Sequence, residues 1–273
     1  MSTHHAAVGT ALFLFFCSWV HADISYAPND DNFHQEQYRD LLEKTRRFLP
    51  QAFDTVRRSG LFAQALNISP HFQLALPLIV VIRVIPEESL YHGLEGTAGW
   101  RKVDGHWIHE LTINIASYMQ EPGEDIPLLL AHEMAHIVLA DVVGLEGTGA
   151  VPMWLNEGLA QSVTDEGRGR VSDYAGSIGW QESQLIPCTL DAPVNTFAHG
   201  EGNYACYPEY YLALQYAARK YGPASIGRFI ENSPKSHSVR AAFESATSAD
   251  YAQFQRDVET FMTNVVTGRQ EIP

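Results

Sequence analysis

Sixteen consecutive positions, Leu128 to Val143, are apolar almost all round, and a helix with that pattern belongs inside a protein rather than on its surface. Asp125 and Pro127 mark its start and Gly144 its stop. Within it stands the run His132-Glu133-Met134-Ala135-His136. Left unpaired in a core, each of these three ionisable groups costs on the order of several kcal/mol. A buried ion pair accounts for one of them; a metal ion accounts for all three. Two histidines four residues apart project from one helix face, one turn above the other, so both imidazoles reach a single ion. Glu133 sits beside them, placed to take a proton from water next to that ion.

The rest of the chain must build a core around this helix. Of its 273 residues 45% are hydrophobic and only 18% charged, which excludes a disordered chain or a coiled coil. A formal charge of −14 opposes adhesion to nucleic acid or to an anionic membrane, since both carry the same sign. Phe33 to Val56 carries apolar residues at three- and four-residue steps with Arg39, Asp40, Glu43 and Lys44 between them, a surface helix expected to kink or restart at Pro50. This helix, over 33–59, is also positioned in the sequence to cover a cleft. Leu78–Ile85, between Pro77 and Pro86, reads as a buried strand. The glycine-rich stretch His92 to Gly99 lacks the context of a phosphate loop and reads as plain loop. Asp104-Gly105 marks a tight hairpin leading into a two-faced strand over Trp107–Ile115.

A second short helix follows over Trp154–Val163, and Thr164 to Asn203 is turn-rich with no element assigned. Helical periodicity then fills Tyr207–Tyr221, Ala224–Asn232, Val239–Ala246 and Asp250–Val265. The fold class is α+β: an α/β lobe over 23–163 with a small mixed sheet, then a loop region and a helical lobe over 164–273.

Ala6 to Val20 is an apolar run followed by Val20-His21-Ala22, read as a signal peptide over 1–22. Fifteen helical residues cross about 22 Å, short of the roughly 30 Å hydrocarbon core. The mature chain is thus expected to be exported, periplasmic or secreted, without a stable membrane span; a retained N-terminal anchor is the alternative. Loss of Cys17 leaves Cys188 and Cys206 as the remaining cysteines. A bridge between them is worth roughly 3 kcal/mol by loop entropy; two separate buried thiols are the other reading.

Downstream of the paired histidines lies Trp154-Leu155-Asn156-Glu157-Gly158-Leu159-Ala160. His-Glu-x-x-His followed by an Asn-Glu-x-x-Ala helix resembles the gluzincin metallopeptidases, and this form resembles the branch that includes the zinc aminopeptidases. The likeness spans roughly residues 76–265, strongly at the motifs and loosely elsewhere. It implies a zincin-like front lobe, one Zn2+ per chain held by His132, His136 and Glu157, and Glu133 as general base. It also implies an edge strand before the motif helix, with Leu111–Ile115 in that place, where an extended peptide adds by β-augmentation. Tyr207, opening the back-half helix, best matches the family's oxyanion-stabilising tyrosine, with Tyr211 and His199 as runners-up.

The chain departs from the family at three points. Gly96-Thr97-Ala98-Gly99-Trp100 contains none of the acids with which the aminopeptidases grip a free N-terminus, so exopeptidase activity is not carried over. Gln161 stands where thermolysin-like members have an acid that orients a zinc histidine; its amide oxygen is the expected substitute acceptor. Leu139 and Val142 occupy the glycine and third-histidine positions of the metzincin pattern, which therefore fails. The resulting expectation is zinc-dependent hydrolysis of peptide or protein substrates, with a non-peptide zinc hydrolase or a silent zinc-binding scaffold as the alternatives.

Overall fold

The computed structural model describes residues 22–24, 35–83, 96–116, 125–164, 166–177, 190 and 206–272. Four strands form one mixed sheet: β1 (Ala22–Ile24), β2 (Leu78–Arg83), β3 (Gly96–Val103) and β4 (His106–Asn114), in the order β1-β2-β4-β3. The first three strands in that spatial order run parallel and β3 is antiparallel to β4. The two-residue turn Asp104-Gly105 joins β3 to β4 with both φ angles positive, 49° and 85°, the twist a type I′ hairpin requires.

Helices account for most of the remainder. They are α1 (Gln35–Arg58), α2 (Gly60–Leu66), α3 (Ile126–Val143), the single turn α4 (Leu145–Thr148), α5 (Met153–Gln161), α6 (Glu166–Ser177), α7 (Tyr207–Tyr221), α8 (Pro223–Asn232), α9 (Val239–Thr247) and α10 (Tyr251–Val266). The architecture is α+β, as expected, with the sheet in the front half and helices filling the back. One core runs through both halves, from Leu41 on α1 to Val265 on α10.

The apolar run is α3. Asp125 caps it by accepting the Leu128 N–H, Pro127 lies in its first turn, and Gly144 ends it at φ 85°. It packs against α1, β3, β4 and α5. Leu78, Val80, Ile82, Leu111 and Ile113 present the sheet's fully buried face to the same core. By length and composition α3 matches a membrane span, yet 61% of it is buried inside the protein, so the charges along it are shielded by protein rather than lipid.

Four expectations are corrected here. The helix does not restart at Pro50: α1 runs through it and breaks only at Ser59. Pro50 is exposed, so the carbonyl it leaves without a helical partner is turned to water. The far face of α1 packs on α3 with Leu41, Leu49, Phe53 and Val56 buried, so this helix is part of the core rather than a cover over a cleft. Gly96 to Gly99 are strand, not loop, since β4 supplies ladder partners that composition does not reveal; His92–Glu95 lie outside the described residues. Leu111 to Asn114 do not form an edge strand, because β2 takes the other side of β4 and the edge passes to β3.

The far end of α3 is tied to the sheet by a buried charge. Asp141 accepts the N–H groups of Ala75 (2.8 Å) and Leu76 (3.2 Å) and lies 2.9 Å from Nε2 of the fully buried His109. Burial alone would raise the Asp141 pKa, but these three donors outweigh it and hold the carboxyl below its ordinary value. Its contribution to stability is therefore complete above the unfolded carboxylate range and is lost as pH falls through that range toward the folded value. Asp141→Asn is expected to lower unfolding free energy by about 1–3 kcal/mol near neutrality and to flatten the loss of stability between about pH 5 and pH 3; urea titrations of both proteins across that range measure it.

Candidate metal centre

His132 and His136 leave the same face of α3, as their spacing dictates, and their rings meet edge to face with centroids 4.9 Å apart. Their Nε2 atoms are 3.2 Å from each other. Glu157 approaches from α5, with Oε2 3.4 Å from His132 Nε2 and Oε1 3.6 Å from His136 Nε2. His132 and Glu157 are buried and His136 is partly so. These three residues form a group able to hold a metal ion.

The donor chemistry fits such an ion closely. Each imidazole is tied at Nδ1 to an oxygen acceptor: His132 to Glu166 Oε2 at 2.8 Å and His136 to Asn156 Oδ1 at 3.0 Å. Those acceptors hold a proton on each Nδ1 and turn the two Nε2 atoms toward each other, as ligation of one ion by both requires. Glu157 Oε2 is buried and accepts no hydrogen bond from the described residues. Three potential ligand atoms thus converge where one positive charge, a metal ion or a proton on His132, serves them together. A tetrahedral ion with bonds of about 2.0–2.1 Å needs donors about 3.3–3.4 Å apart; the two Nε2 atoms, and each Nε2 with one of the two Glu157 oxygens, stand 3.2–3.6 Å apart.

The field of the site is negative. Burial by itself would depress the His132 pKa, yet Glu166 and Glu157 overcome it and hold the imidazole well above its usual value. Glu166 is down to about 2 despite burial, through His132 and Arg170. Glu157 is also lowered, His136 and His132 outweighing its desolvation. Burial acts unopposed enough on Glu133 to push its carboxyl up, with the two histidines pulling back.

Glu133 lies between α3 and the edge strand. A Cβ placed on Gly96 would sit 3.0 Å from Glu133 Cγ and 3.1 Å from its Oε1, so the first residue of β3 must be small for the carboxylate to keep its place. All nine residues of α5 are buried. Trp154, one turn before Glu157, is inserted among the back-half aromatics, with ring centroids 5.5 Å from Phe254 and 5.9 Å from Phe229. The third ligand is thereby held by packing from the helical lobe.

Two residues beside the ligands escaped sequence reasoning. Gln161 is not the acceptor for a ligand histidine: its amide donates to the Glu157 carbonyl at 3.3 Å. Glu166, five positions later on α6, performs that task and is clamped by Arg170 Nε at 2.7 Å. Asn156 is the other; a buried amide next to the ligand carboxylate was its available signal.

The tyrosines divide. Tyr207 is buried with its ring centroid 6.4 Å from that of His132, and the Arg170 guanidinium carbon stands 5.3 Å from the centre of the Tyr207 ring. Tyr211 instead packs its ring on Gly167 of α6. Tyr210, not singled out in the sequence, is pushed up to about 12 by burial and by the charges of Glu157 and Glu209, so its hydroxyl stays protonated. His199 lies outside the described residues. Cys206 is disulfide-bonded; Cys188 lies outside the described residues.

No protein-family model, curated protein or solved structure matches this chain, so its chemistry has to be read from the site. Glu166→Gln should weaken metal binding about 10- to 100-fold with little change in the melting temperature of the metal-free protein. Competition titration against a chromophoric chelator measures the first and calorimetry the second; an unchanged affinity would remove Glu166 from the centre.

Proposed function

We propose that this chain is an exported zinc-dependent peptidase of the gluzincin type, acting as an endopeptidase. The observation that carries the reading is the convergence of His132, His136 and Glu157 within 3.2–3.6 Å, with Glu133 buried beside them. Two imidazoles and a carboxylate form a donor set that suits zinc, whereas magnesium and calcium favour oxygen ligands throughout. Zinc held there supplies a Lewis acid that polarises a carbonyl and makes water acidic enough to lose a proton near neutral pH.

The chain's own groups supply the rest. Glu133 takes the proton of the attacking water on its carboxylate and passes it to the leaving amine nitrogen. Its raised pKa suits both halves of that task. Tyr207 is the proposed donor to the oxyanion. The outer edge of β3 pairs with no other described strand, and Gly96 at its start is next to Glu133. An extended peptide adding there through main-chain hydrogen bonds lies across the general base. The bonded Cys206 agrees with an oxidising compartment, and the apolar leader over Ala6–Val20 agrees with export.

Glu133→Gln should lower kcat on a peptide substrate by about 10²- to 10⁴-fold while elemental analysis still finds one zinc per chain; undiminished cleavage by that variant would sink the mechanism. A peptide library incubated with and without a chelator should be cut only without it. Gly96→Ala should reduce kcat by about 10- to 100-fold at unchanged zinc content, because the new methyl displaces the Glu133 carboxylate.

A further inference from the structure

Two acids approach His132 from α5 and α6, and each is followed directly by a glycine: Glu157-Gly158 and Glu166-Gly167. Both glycines lie against α7. A Cβ on Gly158 would stand 2.7 Å from the Tyr210 carbonyl oxygen, and one on Gly167 would run into the Tyr211 ring. The missing methyl groups let α7 approach the two helices closely, and these contacts fix its backbone one turn beyond Tyr207. Tyr207 itself opens α7, buried, with its ring centroid 6.4 Å from that of His132.

Backbone packing of this kind leaves the rotation of the Tyr207 side chain open, and Arg170 meets that side chain. Its Nε donates to Glu166 Oε1 at 2.7 Å, while Glu166 Oε2 stands 2.8 Å from His132 Nδ1. The same guanidinium lies over the Tyr207 ring, its carbon 5.3 Å from the ring centre. An ion pair four residues apart on an open helix face contributes little by itself. Here the carboxylate of the pair is almost wholly buried, and the cation also covers an aromatic face. Arginine suits both contacts, because the edge of its guanidinium donates in plane while the flat face stacks; lysine has only a point charge.

We infer that Arg170 is a positioning residue: through Glu166 it fixes the ring of His132, and with its own flat face it holds the Tyr207 ring beside that histidine. One side chain on α6 thus orients a group from α3 and a group from α7 together. The consequence for catalysis rests on the peptidase reading and on Tyr207 as the oxyanion donor; the placing of the ring does not. Displacement of a reacting group by about 1 Å costs on the order of 10²-fold in rate, so a residue that touches no substrate can still govern turnover.

Nuclear magnetic resonance of the metal-free protein carrying isotope-labelled tyrosine tests the placing directly, the Tyr207 ring signal being the one absent from Tyr207→Phe. Arg170→Met should displace that signal more than any other tyrosine signal. It should also weaken zinc binding about 10-fold, and lower kcat at saturating zinc about 10- to 100-fold with KM within about twofold of wild type. In a Tyr207→Phe background the same substitution should lower kcat by less than about twofold, since no hydroxyl is left to place. Arg170→Lys, which keeps the charge without the flat face, should recover most of the zinc affinity and still displace the Tyr207 signal; it also covers the case of a poorly folded Met variant. The inference is overturned if the Tyr207 signal stays in place in both variants, or if kcat falls equally in the two backgrounds. A wild type that cuts no peptide removes the peptidase reading, while the tyrosine signal and the zinc titration still decide the role of Arg170.

Discussion

Two imidazole nitrogens, each ring tied from behind at Nδ1, face one another across 3.2 Å of protein interior. A carboxylate oxygen with no hydrogen bond from the described residues closes the third side. In a buried setting such an arrangement is favourable only with positive charge among the three groups, a proton on His132 in the metal-free protein or a metal ion in its place. Much of the structure holds this geometry in place. Asn156 and Glu166 lock the two rings from behind, Trp154 fixes the α5 helix in the aromatic lobe, and Asp141 moors the other end of α3 to the sheet. Folding energy from the core is thus spent on keeping three donors together, as sites that bind before they react require.

The two lobes contribute unequally to that centre. The front lobe supplies the sheet, Glu133 and the two histidines on a helix buried nearly all round. The back lobe supplies no ligand, yet its aromatic cluster of Phe229, Phe243, Tyr251 and Phe254 receives Trp154 and sets where Glu157 stands.

Local sequence carried a good deal of this. The limits of α3, the Asp104-Gly105 turn and the four back-half helices were legible because periodicity and capping chemistry are properties of neighbouring residues. The pairing of His132 and His136 was legible for the same reason, since two imidazoles one turn apart in an apolar helix are costly to bury without a shared partner. Strand order was not: nothing within Leu111–Asn114 says that β2 will take its second side and leave β3 at the edge. Gly96–Gly99 hid a strand because glycine carries little β preference, and the reason for glycine lies across space at Glu133. The α6 helix was hidden by Gly167 and Gly169, so Glu166 could not be tied to His132 from composition alone.

The separation of Glu166 from the ligand helices has a consequence for how such a site changes over time. The atoms placed to grip an ion are fixed by α3 and α5, which are walled in by the core, whereas the electron density on one of those nitrogens would be adjusted from α6, where Arg168, Gly169, Ser172 and Asp173 are open to solvent. Drift in that outer helix can retune how tightly the ion is kept, and how fast it exchanges, without any ligand being replaced.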